Sequence, residues 1–140
     1  MQTLIFYAHI GFLCLAGLGI VVADHAAFQW LTHKRDVVGK RELFVSHWIV
    51  SVGLTGLVLS GLYLFWPMRD YLLSQPLFWL KMAFVAALIV NSFFIEYLMH
   101  TASNTPWRRL SFGERVPFIV SGAVSTLSWV GAFLVAITLF

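Results

Sequence analysis

Four stretches of this chain are each long and apolar enough to cross a lipid bilayer, and no other feature limits its fold so tightly. Crossing ~30 Å of hydrocarbon takes about 20 helical residues. The stretches run roughly over Thr3–Ala23, Leu43–Trp66, Pro76–Met99 and Val116–Phe140. Hydrocarbon offers no hydrogen-bond partners, so each backbone must satisfy itself, which predicts four α-helices. Short loops force neighbours to run antiparallel. The expected fold is all-α: an integral membrane antiparallel four-helix bundle, one domain over residues 1–140. Composition agrees, with 60% of residues hydrophobic and 11% charged, against about 25% charged in soluble domains.

The basic residues set the expected orientation. Lys34, Arg35, Lys40 and Arg41 lie in the first loop and Arg108, Arg109 and Arg115 in the third, while the second holds only Arg69. Cytoplasmic loops collect Lys and Arg, so loops one and three are expected in the cytoplasm, with both termini outside. The net charge of +3 does not signal nucleic acid, because its carriers sit in short loops between spans. Cys14 is the single cysteine, which excludes an internal disulfide or a CxxC site. The first span lacks a basic leading region and an A-x-A site, so it reads as a retained helix and not as a signal peptide.

Local signals mark the helix ends and faces. Asp24–Leu31 is expected to prolong the first helix into the interface, with Phe28 and Trp30 at headgroup level. Trp48 and Trp107 are assigned to the same belt, and Trp66 and Trp79 to the outer one. Trp129 stands apart near mid-span. Pro67 reads as the stop of span two, Pro76 as a first-turn proline, and Ser111–Glu114 as a capping box. The pairs Gly56/Ser60, Ala83/Ala87 and Ser121/Ser125 have the small-xxx-small spacing of close helix contacts.

Ionisable side chains inside the spans point to chemistry. A charge at the bilayer centre costs about 2.5 kcal/mol or more, so it faces a protein interior, a partner or a cofactor. At about 100° per residue, Lys81, Ser92 and Glu96 fall within roughly 60° of one another and form one polar stripe on the third span. His47, Ser51, Thr55 and Val58 form another on the second. His9 and Lys81 share a depth near the outer face. Asp24, His47, Glu96 and His100 gather toward the inner face, Glu96 and His100 being i,i+4 neighbours. His9, Asp24, His47, Lys81 and Glu96 are expected to face a common interior, with His25 turned away and His33 in a loop.

Two chemistries fit these residues. One is a b-type haem held between helices by histidine, the usual neutral ligand in such bundles. His9 would be its sole protein ligand, with Lys81 on a propionate or in the sixth position; otherwise His47 pairs with His100. His9 and His47 differ in depth by about 14 Å at ~1.5 Å per residue, too far to share one iron. The other is a divalent-metal site built from His47, Glu96, His100 and Asp24. The bland readings are an interfacial His47 and His100, a Lys81 that snorkels to water, and a Glu96 that pairs with Arg115 or His47. There is no nucleophile elbow and no glycine-rich phosphate loop.

Phe6-Tyr-Ala-His9-Ile-Gly11 in the first span and Leu77-Phe-Trp-Leu-Lys81-Met-Ala-Phe-Val85 in the third carry a resemblance across nearly the whole chain. The pattern resembles a bacterial four-span superfamily that includes the HemJ-type protoporphyrinogen oxidases and the membrane domain of copper-resistance protein D. Val58-Leu-Ser-Gly-Leu-Tyr-Leu-Phe65, Lys34-Arg-Asp36 and Asn91 bring it nearer the uncharacterised members. The resemblance implies haem binding and activity at His9 and Lys81. The chain departs from the HemJ-type pattern where Trp79-Leu80 precedes Lys81 and where His47-Trp-Ile-Val-Ser51 has no proline. The leading expectation is a membrane redox protein, a haem-dependent oxidoreductase or electron carrier, that meets a quinone or a porphyrin-like molecule in the lipid bilayer. The alternatives are a membrane protein that binds or transports copper or another divalent metal, and a non-catalytic accessory subunit that forms a homo-oligomer or joins a larger membrane complex.

Overall fold

The computed structural model describes residues 1–139; Phe140, the last residue of the fourth expected span, lies outside the described residues. It contains four long helices: α1 (Gln2–Leu31), α2 (Lys40–Leu73), α3 (Pro76–Asn104) and α4 (Phe112–Leu139). A single 3-10 turn, Trp107–Arg109, stands between α3 and α4. All four helices are long and apolar enough to cross a membrane. The chain is an all-α, multi-pass helical bundle. Its large apolar side chains face outward, as lipid rather than water demands.

The bundle is two hairpins. Helix α1 packs along α2 and α3 along α4, while α2 and α3 meet more sparsely. In the first hairpin small residues let the backbones approach. A Cβ placed on Gly53 would lie 2.7 Å from Ala16 Cβ and 2.8 Å from the Ala16 nitrogen, and one on Gly56 would strike the Phe12 ring. Ala16 is 0% exposed. Position numbers of facing residues in this hairpin sum to 68 or 69, which fixes its register. In the second hairpin the buried line is Ser121, Ser128 and Val135 on α4 against Leu88, Asn91 and Leu98 on α3. Asn91 Nδ2 donates to the Ser121 carbonyl at 3.0 Å, and Ser121 Oγ donates to Asn91 Oδ1 at 2.9 Å. Of the three small-residue pairs, Gly56/Ser60 makes close contact with both members buried. Ser121/Ser125 does so mainly through Ser121. Ala83/Ala87 does not, because Ala83 is exposed and Phe84 packs on Gly131 instead.

The end of the second helix differs from the sequence expectation. Helix α2 runs through Pro67 for six more residues. A proline in a helix removes one backbone bond and crowds the carbonyl four residues back, here that of Tyr63. That is a local cost beside Trp66, at the edge of the expected hydrocarbon, and the flanking turns carry the helix on. Helix α1 does continue to Leu31. It ends in a Schellman motif: His33 N–H donates to the Trp30 carbonyl and Lys34 N–H to the Gln29 carbonyl. The left-handed position falls on His33, with φ 61°, where glycine is usual. At α4 half of the capping box forms. Glu114 Oε2 accepts from Ser111 N–H at 2.8 Å, and from the Ser111 hydroxyl as well.

The densest packing lies at the end that carries loops one and three, called here the basic end. Ala26, Trp30, Val38, Ala102, Trp107 and Leu110 form one buried cluster, with Leu43 and Phe118 packed on it. Trp30 is 2% exposed and Trp107 8%. Their rings meet edge to face at 5.1 Å, and Phe118 lies 5.0 Å from Trp30. Trp30 Nε1 donates to the Thr105 carbonyl, and Val38 N–H to that of Ala102. Trp30 and Trp107 are therefore core residues, not the headgroup belt that sequence assigned them to. The two loops fold onto each other and take them out of the interface. Trp48, Trp66 and Trp79 do remain exposed.

Candidate functional site

The ionisable residues of the spans separate into two sites on opposite flanks of α2. At the first, His9 on α1 points at α2, and its Nδ1 lies 2.8 Å from Ser60 Oγ. Ser60 is buried, and its hydroxyl donates to the Gly56 carbonyl at 2.5 Å. A serine has one hydroxyl hydrogen. With that hydrogen given to Gly56, Ser60 Oγ accepts from His9, so His9 carries its proton on Nδ1. The other ring nitrogen, Nε2, keeps a bare lone pair. Gly61 leaves room beside it: a Cβ there would stand 3.5 Å from His9 Cε1. Lys81, half-buried near the start of α3, lies within Coulombic reach of the ring. The ion pairs of the described residues are Arg35–Glu42, Arg69–Asp70 and Arg108–Asp36, and Lys81 belongs to none.

The second site is a cavity of about 370 Å³ between the hairpins, lined by His47, Ser51, Leu54, Thr55, Val58, Leu59, Ile89, Ser92, Phe93 and Glu96. The polar stripe expected on span two thus meets Ser92 and Glu96 of the span-three stripe across one gap, while Lys81 is not part of its lining. Phe65 stacks on Phe78 at 5.4 Å, with planes 14° apart, beside the α2–α3 turn. Counting 18 residues inward from each ring brings His47 level with Glu96, about 27 Å away at ~1.5 Å per residue. Counting 14 brings Ser51 level with Ser92.

The remaining candidates lie elsewhere. His100 is exposed, and its carbonyl and ring contact Asn104 on its own helix; it is not among the residues that line the cavity with His47. Asp24 is exposed on α1, outside both sites, and so does not share the interior assigned to it. Among the described residues no three His, Cys, Asp or Glu side chains converge, so the metal set of His47, Glu96, His100 and Asp24 is not gathered in one place. Arg115 does not pair with Glu96. Its Nη2 donates to the Trp107 carbonyl at 3.3 Å and its guanidinium lies over the Trp107 ring. His25 turns away as expected and meets Gln29.

Sequence reasoning missed Ser60 as the partner of His9. A nearby signal was present: reflecting residue 9 through the middle of the first loop, near residues 35 and 36, lands at 61 to 63, within a turn of Ser60. The chain matches no protein-family model, no curated protein and no solved structure.

Proposed function

We propose that this chain is a redox protein of a bacterial inner membrane, its basic end in the cytoplasm, that holds a b-type haem on His9 Nε2. Lys81 supplies a cation for a propionate. The observation that carries the reading is the proton count at Ser60. Histidine ligands need their second nitrogen held by an outer partner, which fixes both tautomer and ring orientation. His9 has such a partner in Ser60, and the nitrogen left over is the one that binds iron. The donor set fits a haem with one protein ligand. The bis-histidine arrangement is less favoured, since His47 lines the α2–α3 cavity and His100, exposed beside Asn104, does not.

A bound haem would supply one-electron chemistry. The chain's own residues would orient it through the Ser60–His9 bond, offset charge through Lys81 and exclude water behind the apolar walls of the hairpins. The electron partner is then a molecule soluble in the bilayer, quinone-like or porphyrin-like. The test is the absorption spectrum of protein purified in detergent from cells with ample haem. A Soret band is expected in the native chain, absent in His9→Ala, and weakened in Ser60→Ala. A colourless native protein overturns the reading.

A second reading rests on the shared cavity of His47 and Glu96, which suits a divalent metal with further ligands from solvent or a partner. A colourless protein that carries copper or zinc, and loses it in Glu96→Ala, would favour that reading.

A further inference from the structure

The cavity between α2 and α3 presents hydrogen-bond acceptors to the lipid side of the molecule. Ser92 Oγ donates its one hydrogen to the Ile89 carbonyl at 2.7 Å, so only its lone pairs face outward. Glu96 belongs to no ion pair among the described residues, and an ionised carboxylate only accepts. Both sit on the same wall, one turn apart. Across the gap, at the same levels, stand Ser51 and His47. Phe93 presents a ring beside them and is 69% exposed. Polar groups turned toward hydrocarbon are costly unless a partner satisfies them. The partner that fits donates hydrogen bonds, has an apolar body, and is flat enough to lie on an aromatic ring.

We propose that the α2–α3 cavity binds a lipid-soluble hydroxyarene of the benzoquinol class, with a ring hydroxyl donating to Glu96 and Ser92 and the ring against Phe93. The site is distinct from the His9 site, since His47 and Ser60 are separated along α2 by about 20 Å at ~1.5 Å per residue. The inference rests on the redox reading for its choice of ligand, and names the lipid-soluble partner which that reading leaves open. The α3 wall, where Ser92 and Glu96 only accept, selects the reduced, hydroxyl-bearing form; the quinone's carbonyls can bond only the donors of the α2 wall, His47 and Ser51. The α3 wall equally disfavours the dimethyl ether, which keeps the ring but has no donor.

Equilibrium dialysis of the protein in lipid nanodiscs, with empty nanodiscs subtracted, tests this with a short-tailed benzoquinol, its quinone and its dimethyl ether. The quinol is expected to bind at least tenfold more tightly than either analogue. Glu96→Gln and Ser92→Ala are each expected to weaken it severalfold while leaving the ether unchanged. Ser92→Ala changes one atom of a side chain bonded only to its own helix, so its folding is not at issue. Equal binding of quinol and ether overturns the proposal. So does a long-chain primary amine that displaces the quinol at lower concentration, which would assign the cavity to an amine-headed lipid. Zinc binding lost in Glu96→Gln, without quinol binding, overturns it in favour of the metal reading. His9→Ala keeps the two hypotheses apart: it removes pigment if the haem reading holds, and should leave quinol affinity as it was.

Discussion

The basic end and the mid-section between the hairpins are built from different residues and pack in opposite ways. At the basic end, Trp30, Trp107 and Phe118 interlock, and indole and backbone donors are satisfied across elements distant in sequence. In the mid-section α2 and α3 face each other with hydroxyls, His47 and Glu96, and leave a cavity. The bilayer cannot be what distinguishes them, since lipid is as apolar as leucine and gives helices no hydrophobic reason to associate. Where loops one and three leave the hydrocarbon, water restores that reason, and the aromatic cluster exploits it. The bundle is held together at its ends and left separable at its middle.

Substitutions can break or sharpen that contrast. Trp30→Ala should have the largest effect. Truncating a fully buried aromatic costs about 3–5 kcal/mol, and here it also orphans the Thr105 carbonyl. The expected outcome is a steep loss of thermal stability in detergent, with protease cleavage appearing in loops one and three. An unchanged melting temperature would mean that the ends do not hold the hairpins together. Gly53→Val comes next. Its side chain would collide with backbone at Ala16, and overpacking of this kind costs about 1–3 kcal/mol. It should separate α1 from α2, read as faster cross-linking of a cysteine placed at Ala16, while the aromatic end stays closed. Asn91→Ala is the mildest, at about 0.6–1.7 kcal/mol for interhelical bonds in a membrane. It should lower the melting temperature by a few degrees and leave the α2–α3 cavity competent to bind.

Much of this could be read from the sequence, and the residues show where reading fails. Length and apolarity give four helices because hydrocarbon permits no other backbone for such segments. Helical periodicity places His47, Ser51 and Thr55 on one face and Ser92 and Glu96 on another, and these are the faces that meet. What periodicity cannot supply is the rotation of one helix against the next. Asp24 and His100 satisfy the spacing rules and still lie outside the cavity. Trp30 and Trp107 have the composition of interfacial anchors, and only the fold of one loop on another removes them from the interface. Reflecting one span onto the next brings Ser60 near His9, but its role depends on where a hydroxyl hydrogen goes, which no pattern of letters records.

The cavity opens sideways, and that governs how anything would arrive there. Its walls include the exposed side chains of Leu59 and Phe93 on the lipid-facing surface, so a visitor must first dissolve in the bilayer and then drift in laterally. Its effective abundance would follow its partition coefficient and the amount of lipid present, so an affinity quoted per volume of water would change whenever the lipid-to-protein ratio did.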